Sequence, residues 1–236
     1  MKFEDISEIT LELYKLGWAE RNAGNFSIQL SNAEFDNLVK NYKTFDEIDI
    51  DSTQWDTLHI KENLVILISV SDSRFRKIAK DPIHNTGILA VRCNRQKIFW
   101  YNNGQKPSSE WLSHLRTHNV LYEQKSPNKC ILHTHPTELI ALSHKLFDKT
   151  EAEINEILWD MMPEVKLFAS KGIGLIPTYP IGSDELACAT EEKIKDHDIL
   201  LWKKHGCLSV GQSFWHSYEA LEVLNKAAKI YLLAYQ

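Results

Sequence analysis

The sequence predicts an α/β fold in which a mixed, largely antiparallel sheet is covered by helices. Helical and strand-like apolar periodicities are interspersed along the whole chain. Two segments rich in β-branched and aromatic residues, 88–93 and 97–101, are separated only by Asn94-Arg95-Gln96, a connection that suits an antiparallel hairpin. Neither a GxGxxG nor a Walker A loop is present to mark a parallel nucleotide-binding sheet. With no internal repeat, low-complexity tract or Pro/Gly/Ser linker, residues 1–236 read as a single domain.

The elements follow in order. Asp5-x-x-Glu8 has the pattern of a capping box, Ile6, Ile9 and Leu13 recur at helical spacing, and Gly17 supplies the stop. Asn25 to Leu30 alternates as a strand, and Ser31-x-x-Glu34 opens a short helix towards Tyr42. Residues 43–62 read as irregular, Leu64 to Val70 as a strand, and the hairpin comes next. Pro107-Ser108-Ser109-Glu110 begins a helix to about Glu123, with Trp111, Leu112, Leu115 and Val120 as its buried stripe. Lys129 to His133 is a strand, Pro136 leads into a helix over 137–145, and a second helix over 151–162 is stopped by Pro163. Strand-like pieces follow at 165–169 and 174–177. Ser183, with Asp184 and Glu185 behind it, opens a helix to about His197. Residues 199–210 give two short strands broken near His205-Gly206, and a long amphipathic helix runs from Phe214.

Composition narrows what such a fold does. The chain is 43% hydrophobic and 25% charged, enough apolar content for a sizeable core, which excludes a disordered or collagen-like protein. The net charge of −5 and the lack of a basic block argue against nucleic acid and favour a small-molecule partner. Cys93, Cys130, Cys188 and Cys207 form no Cys-x-x-Cys pair and read as reduced thiols. No leader-like segment and no apolar run of about 20 residues is present, so the expectation is a cytoplasmic protein with no membrane span.

One segment stands out chemically. His133-Thr134-His135 ends an apolar strand, and residues two apart share a strand face, so both imidazoles can converge on one metal ion. Since about 0.4 His-x-His pairs arise by chance at this histidine content, a third ligand is required. His205 is the candidate, because Lys203-Lys204-His205 interrupts two apolar strands; three histidines leave the open position of a catalytic zinc site. Glu110, His114 and His118 compete with it, spaced i, i+4 and i+8 on one helix, although they read more simply as a solvated polar stripe. Glu110 is either a general base or a helix-capping acid. The Arg21 to Asn25 loop can turn backbone N–H groups towards an anion, and Ser71, Ser108 and Ser109 add hydroxyl donors.

Six stretches together resemble the class II aldolase/adducin family, most closely its rhamnulose branch: Leu16 to Asn25 (LGWAERNAGN), Asp81 to Gly87 (DPIHNTG), Pro107 to Glu110 (PSSE), His133 to Leu142 (HTHPTELIAL), Gly172 to Pro177 (GIGLIP) and Lys204 to Gly206 (KHG). They occur in the family's order over nearly the whole chain. The resemblance implies a nine-stranded, largely antiparallel sheet flanked by helices, one Zn2+ per subunit, and a homotetramer with active sites between neighbours. It implies zinc ligands His133, His135 and His205, with Glu110 as fourth ligand and base. It also implies a phosphate cradle of Asn22, Gly24, Asn25, Ser71, Ser108 and Ser109, and Glu164 acting in the adjacent subunit's site.

The implied reaction is reversible cleavage of L-rhamnulose 1-phosphate to dihydroxyacetone phosphate and L-lactaldehyde. One departure bears on substrate: where the branch has Gly-Ser-Gly, this chain has Val70-Ser71-Asp72, placing a carboxylate beside the expected phosphate. The alternatives are a 4-epimerase, a sugar-phosphate dehydratase or an aldolase on a non-phosphorylated substrate of the same family. An adducin-like interaction protein is a further alternative, from which the metal histidines would be missing.

Overall fold

The computed structural model describes residues 2–50, 52–58, 60 and 62–235. Nine strands make one sheet: β1 (Asn25–Gln29), β2 (Thr44–Ile48), β3 (Val65–Ser69), β4 (Thr86–Arg92), β5 (Lys97–Asn102), β6 (Cys130–Thr134), β7 (Ile173–Ile176), β8 (Ile199–Trp202) and β9 (Gly206–Gly211). Their order is β2-β5-β4-β3-β1-β6-β9-β8-β7, with every pair antiparallel except β7 and β8. The expected mixed, largely antiparallel nine-stranded sheet is therefore present, and the 88–101 hairpin pairs in the register Ile88↔Tyr101 to Arg92↔Lys97.

Among the described residues ten α-helices flank it: α1 (Phe3–Lys15), α2 (Asn32–Leu38), α3 (Ser52–Leu58), α4 (Phe75–Ile78), α5 (Trp111–Glu123), α6 (Thr137–Lys145), α7 (Glu151–Met161), α8 (Val165–Phe168), α9 (Asp184–Lys193) and α10 (Phe214–Ala234). Both faces of the sheet are covered. Leu67, Phe26, Ile28, Leu132 and Leu201 pack with α1, α6, α7 and α10 on one face. Ile66 and Ile68 meet Trp55 and Leu115 on the other, where Ile131, Leu200 and Leu208 meet Val120 of α5 and Leu186 of α9. The strict alternation of strand side chains creates this division. It also sends Asn25 and Ser27 of β1, and His133 of β6, to the face occupied by α5.

Four expectations need correction. The segment 43–62 contains β2 and α3. The first four residues of β2 are exposed and Phe45 stacks on Tyr101 of β5, so a tertiary contact rather than local alternation makes it a strand. Residues 165–168 form a helical turn, not a strand. Helix α1 starts two residues before Asp5, with Lys2 at its N-cap and no side-chain cap; the Asp5 carboxylate instead accepts from Trp215 Nε1 at 3.4 Å. The capping box at Ser31 does form, and the structure adds a second one, Thr150 with Glu153, at the start of α7. Finally, α9 ends at Lys193, short of His197, whose Nδ1 sits 3.0 Å from the Lys171 carbonyl. Among the described residues no helix is long and apolar enough to cross a membrane.

Candidate active site

Two strand ends and one hairpin turn bring the histidines together. Asn25 and His133 are Cα partners across β1 and β6, which puts them side by side on the α5 face. His135 follows the end of β6, where the backbone is held by two bonds to the Trp18 carbonyl, from Thr134 Oγ1 at 2.6 Å and from its own N–H at 2.8 Å. His205 sits in the tight connection between β8 and β9, after Lys204 at φ +64° and before Gly206. Only glycine fits there: a Cβ on Gly206 would lie 2.6 Å from the Thr134 carbonyl oxygen, 2.8 Å from the His135 ring and 2.9 Å from the His133 ring.

The three rings offer ligand atoms that all lie within 4.8 Å of one another. Two of them have their distal nitrogen engaged. His133 Nδ1 is 2.9 Å from the Cys207 carbonyl and His135 Nδ1 is 2.9 Å from the Glu20 carboxylate, so each Nδ1 carries the proton and Nε2 is left as a lone-pair donor. Burial holds His205 at a pKa of about 4, and burial together with the other two rings keeps His133 well below the ordinary value. Both are thus neutral, the state in which imidazole binds a metal. Trp202 forms the floor, with its rings 4.5 Å from His133 and 5.2 Å from His205 between centroids. A cluster of this chemistry fits a divalent metal ion with an open position.

Glu110 completes the group. It stands at the N-cap of α5 but caps nothing with its side chain, and it is 2% exposed. Its two oxygens face His133 Nε2 at 3.6 Å and His205 Nε2 at 3.5 Å, while Asn25 Nδ2 donates to Oε2 at 2.7 Å. Burial raises its pKa to about 7, against the opposing pull of the Asn25 donor. That value suits a group exchanging protons near neutrality.

A cavity of about 530 Å³ opens beside this cluster. Its wall includes Asn22, Gly24, Asn25, Ser71, Ser108 and Ser109 together with Glu110, His133, His135 and His205, so segments distant in sequence meet around one space. Gly24, at φ +81°, lets the loop pass closely, since a Cβ would come 3.0 Å from the His133 carbonyl and 3.1 Å from Phe75. Asp72 also lines the cavity, at φ +57°, with Asn22 Nδ2 donating to its Oδ1 at 3.4 Å. A left-handed backbone explains a preference for glycine at that position, and Asp is among the residues that tolerate it.

Glu164 lies elsewhere, exposed at the start of α8 and outside the residues that line the cavity. Sequence reasoning did not single out Glu20 or Ile181, which also line it, whereas Arg21 belongs to the loop it did single out. Glu20 reaches His135 across 115 positions of sequence, a pairing no local spacing announces. The rival stripe requires correction too. His114 and His118 are wholly buried rather than solvated, because α5 is wedged between the sheet and α9 and has polar residues on its inward side.

Comparison with known proteins agrees with this architecture. The family described as the Class II Aldolase and Adducin N-terminal domain matches residues 4–232. The rhamnulose-1-phosphate aldolase of Bacteroides thetaiotaomicron is 33% identical over 233 residues, covering 97% of this chain and 84% of that protein. The enzyme of the same name from Listeria welshimeri is 32% identical over 238 residues, covering 97% and 82%. Among solved structures, a sugar-phosphate aldolase from Thermotoga maritima superposes with a TM-score of 0.82 at 29% identity, covering 99% of this chain and 96% of that one. L-fuculose-1-phosphate aldolase from Thermus thermophilus shares the fold alone, at a TM-score of 0.59 and 15% identity over 98% and 93% of the chains. The chain belongs to the class II aldolase and adducin family and is an enzyme of its aldolase side.

Proposed function

We propose that the protein is a zinc-dependent aldolase that cleaves L-rhamnulose 1-phosphate, or a closely similar ketose phosphate, to dihydroxyacetone phosphate and L-lactaldehyde. The observation that carries this reading is the convergence of three imidazoles and a buried carboxylate of raised pKa on one cavity with a hydroxyl-rich wall. Relatives bearing the rhamnulose name over most of their length support the substrate.

His133, His135 and His205, with Glu110, would hold the zinc ion. When bound, zinc supplies a Lewis acid that stabilises negative charge on the ketone oxygen as the C3–C4 bond breaks. The chain's own groups do the rest. Glu110 Oε2 accepts and returns the proton at C3, and its burial keeps that exchange poised near neutral pH. Ser71, Ser108 and Ser109, with the Asn22 to Asn25 loop, hold the phosphate through hydroxyl, amide and N–H donors. Glu164 would serve the aldehyde end of a neighbouring subunit's site in a homotetramer, because it opens a helical turn whose Leu167 and Phe168 are exposed, 80% and 41%.

Asp72 favours a second reading, an aldolase of the same chemistry on a substrate lacking the phosphate. One experiment separates them. Purified protein is analysed for zinc and assayed for dihydroxyacetone phosphate release from L-rhamnulose 1-phosphate, with and without chelator. Stoichiometric zinc and chelator-sensitive release are expected; zinc without release would transfer the assignment to the non-phosphorylated ketose. Glu164→Ala is expected to slow cleavage while retaining metal, and unchanged kinetics would make Glu164 a surface acid.

A further inference from the structure

Behind Glu110 lies a row of buried polar side chains that touches neither the cavity's metal cluster nor its phosphate wall beyond Asn25. Asn25 Nδ2 is 2.7 Å from Glu110 Oε2, and Asn25 Oδ1 is 2.5 Å from His114 Nε2. His114 Nδ1 is 2.7 Å from Ser27 Oγ, which is in turn 2.8 Å from His118 Nε2. Ser27, His114 and His118 are all 0% exposed. Strand parity and helix repeat build the row: residues 25 and 27 share one face of β1, while 110, 114 and 118 share one face of α5.

The direction of donation is set at the Glu110 end. In its ionised form the Glu110 carboxylate only accepts, so Asn25 turns Nδ2 to it and offers Oδ1 to His114. His114 must then donate from Nε2 and accept at Nδ1 from the Ser27 hydroxyl. Ser27, having donated, accepts from His118 Nε2, which leaves His118 Nδ1 bare. That nitrogen is indeed among the buried atoms without a hydrogen-bond partner in the described structure. Reversal would set Asn25 Oδ1 against the Glu110 carboxylate and leave an N–H, rather than a lone pair, unpaired in the interior; unpaired buried N–H groups are the rarer defect. The row ends inside the protein at His118, so it leads no proton to solvent. Burial keeps both histidines neutral, at about 3.

We propose that Asn25, His114, Ser27 and His118 form a one-way hydrogen-bond chain that locks the Asn25 amide with Nδ2 towards Glu110, making His114 and Ser27 positioning residues for that carboxylate. Its functional half rests on the reading of Glu110 as the proton-transferring group. Its structural half is independent of that reading, and the test treats the two separately.

The first arm is NMR of protein with ¹⁵N-labelled histidine rings, recorded metal-free and zinc-loaded. His114 and His118 are expected as neutral Nε2–H tautomers in both states. An Nδ1–H tautomer or a charged ring at either position in the native protein overturns the proposal. Ser27→Ala should leave His114 as Nε2–H and release His118 into a mixture of tautomers; an unchanged His118 signal also overturns it.

The second arm is kinetic. Ser27→Ala is expected to lower kcat for cleavage about tenfold with KM unchanged, and His114→Leu about a hundredfold. His114→Gln, whose amide reaches the position of Nε2, should recover activity to within about tenfold of the native protein. Gln no better than Leu, or Ser27→Ala within about twofold of native kcat, overturns the positioning role. Should His114→Leu fail to fold, Ser27→Ala and His114→Gln still decide. If the native protein cleaves no ketose phosphate, the aldolase reading fails while the tautomer arm still decides the chain.

Discussion

Replacing His118 with Gln should flatten the acid sensitivity of this protein by a calculable amount. His118 is 0% exposed, and burial with His114 close by lowers its pKa from 6.5 to about 3. Between those values the unfolded chain binds a proton that the folded chain refuses, so stability rises with pH across that window and is lost as pH falls through it. For one such group, the fall from pH 7 to pH 5 costs about 2 kcal/mol, as 1.36 kcal/mol per unit applied over roughly 1.5 units below 6.5. Gln at 118 keeps an N–H directed at Ser27 and has nothing to titrate.

The assay is urea unfolding of metal-free native and His118→Gln proteins at both pH values. The native protein is expected to lose about 2 kcal/mol more than the variant between pH 7 and pH 5. The titrating groups of the metal cluster contribute equally to both proteins and cancel, as does any constant cost of the substitution. Equal losses would mean that His118 protonates normally in the folded state, and the buried neutral row would be refuted.

Three further outcomes follow from the site. His133→Ala and His205→Ala are each expected to lose zinc and cleavage, whereas Glu110→Ala should keep most of the metal, because three imidazoles remain, and lose proton exchange at C3; elemental analysis with deuterium incorporation at C3 reads both. Gly206→Ala should weaken metal affinity by at least about tenfold in chelator competition, since its methyl group intrudes on the His133 and His135 rings and displaced ligands commonly cost 10- to 100-fold. Asp72→Gly should lower KM for a phosphorylated ketose several-fold and raise the melting temperature slightly, by removing a carboxylate from the cavity and relaxing a φ of +57°.

What was legible in the sequence was whatever local chemistry decides. The hairpin at Asn94 to Gln96, the capping box at Ser31 and the His-x-His strand end depend on neighbours within a few positions, and all appear in the structure. Strand β2 was hidden because its stability comes from pairing with β5 and from Phe45 stacking on Tyr101, not from alternation of its own. The α5 histidines were misjudged for a related reason. An amphipathic pattern presumes that a helix has a wet side, but α5 is enclosed between sheet and α9, and its polar residues find partners on β1. The three clustered histidines were conspicuous, while the Glu20 carboxylate that orients one of them was not, because it is an ordinary loop acid until the chain folds.

The pairing of Asn25 with His133 has a consequence for how the arrangement around Glu110 withstands change in the chain. A slip of β1 by one residue against β6 would swap Phe26 and Ile28 into the polar interior and drive Asn25 and Ser27 into the apolar one. Misregistered forms are therefore eliminated by the core before the chemistry is ever tested. Deletion of a single residue from β1 should be intolerable for the same reason. The packed interior thereby fixes Asn25 against Glu110 independently of the loops that form the cavity rim.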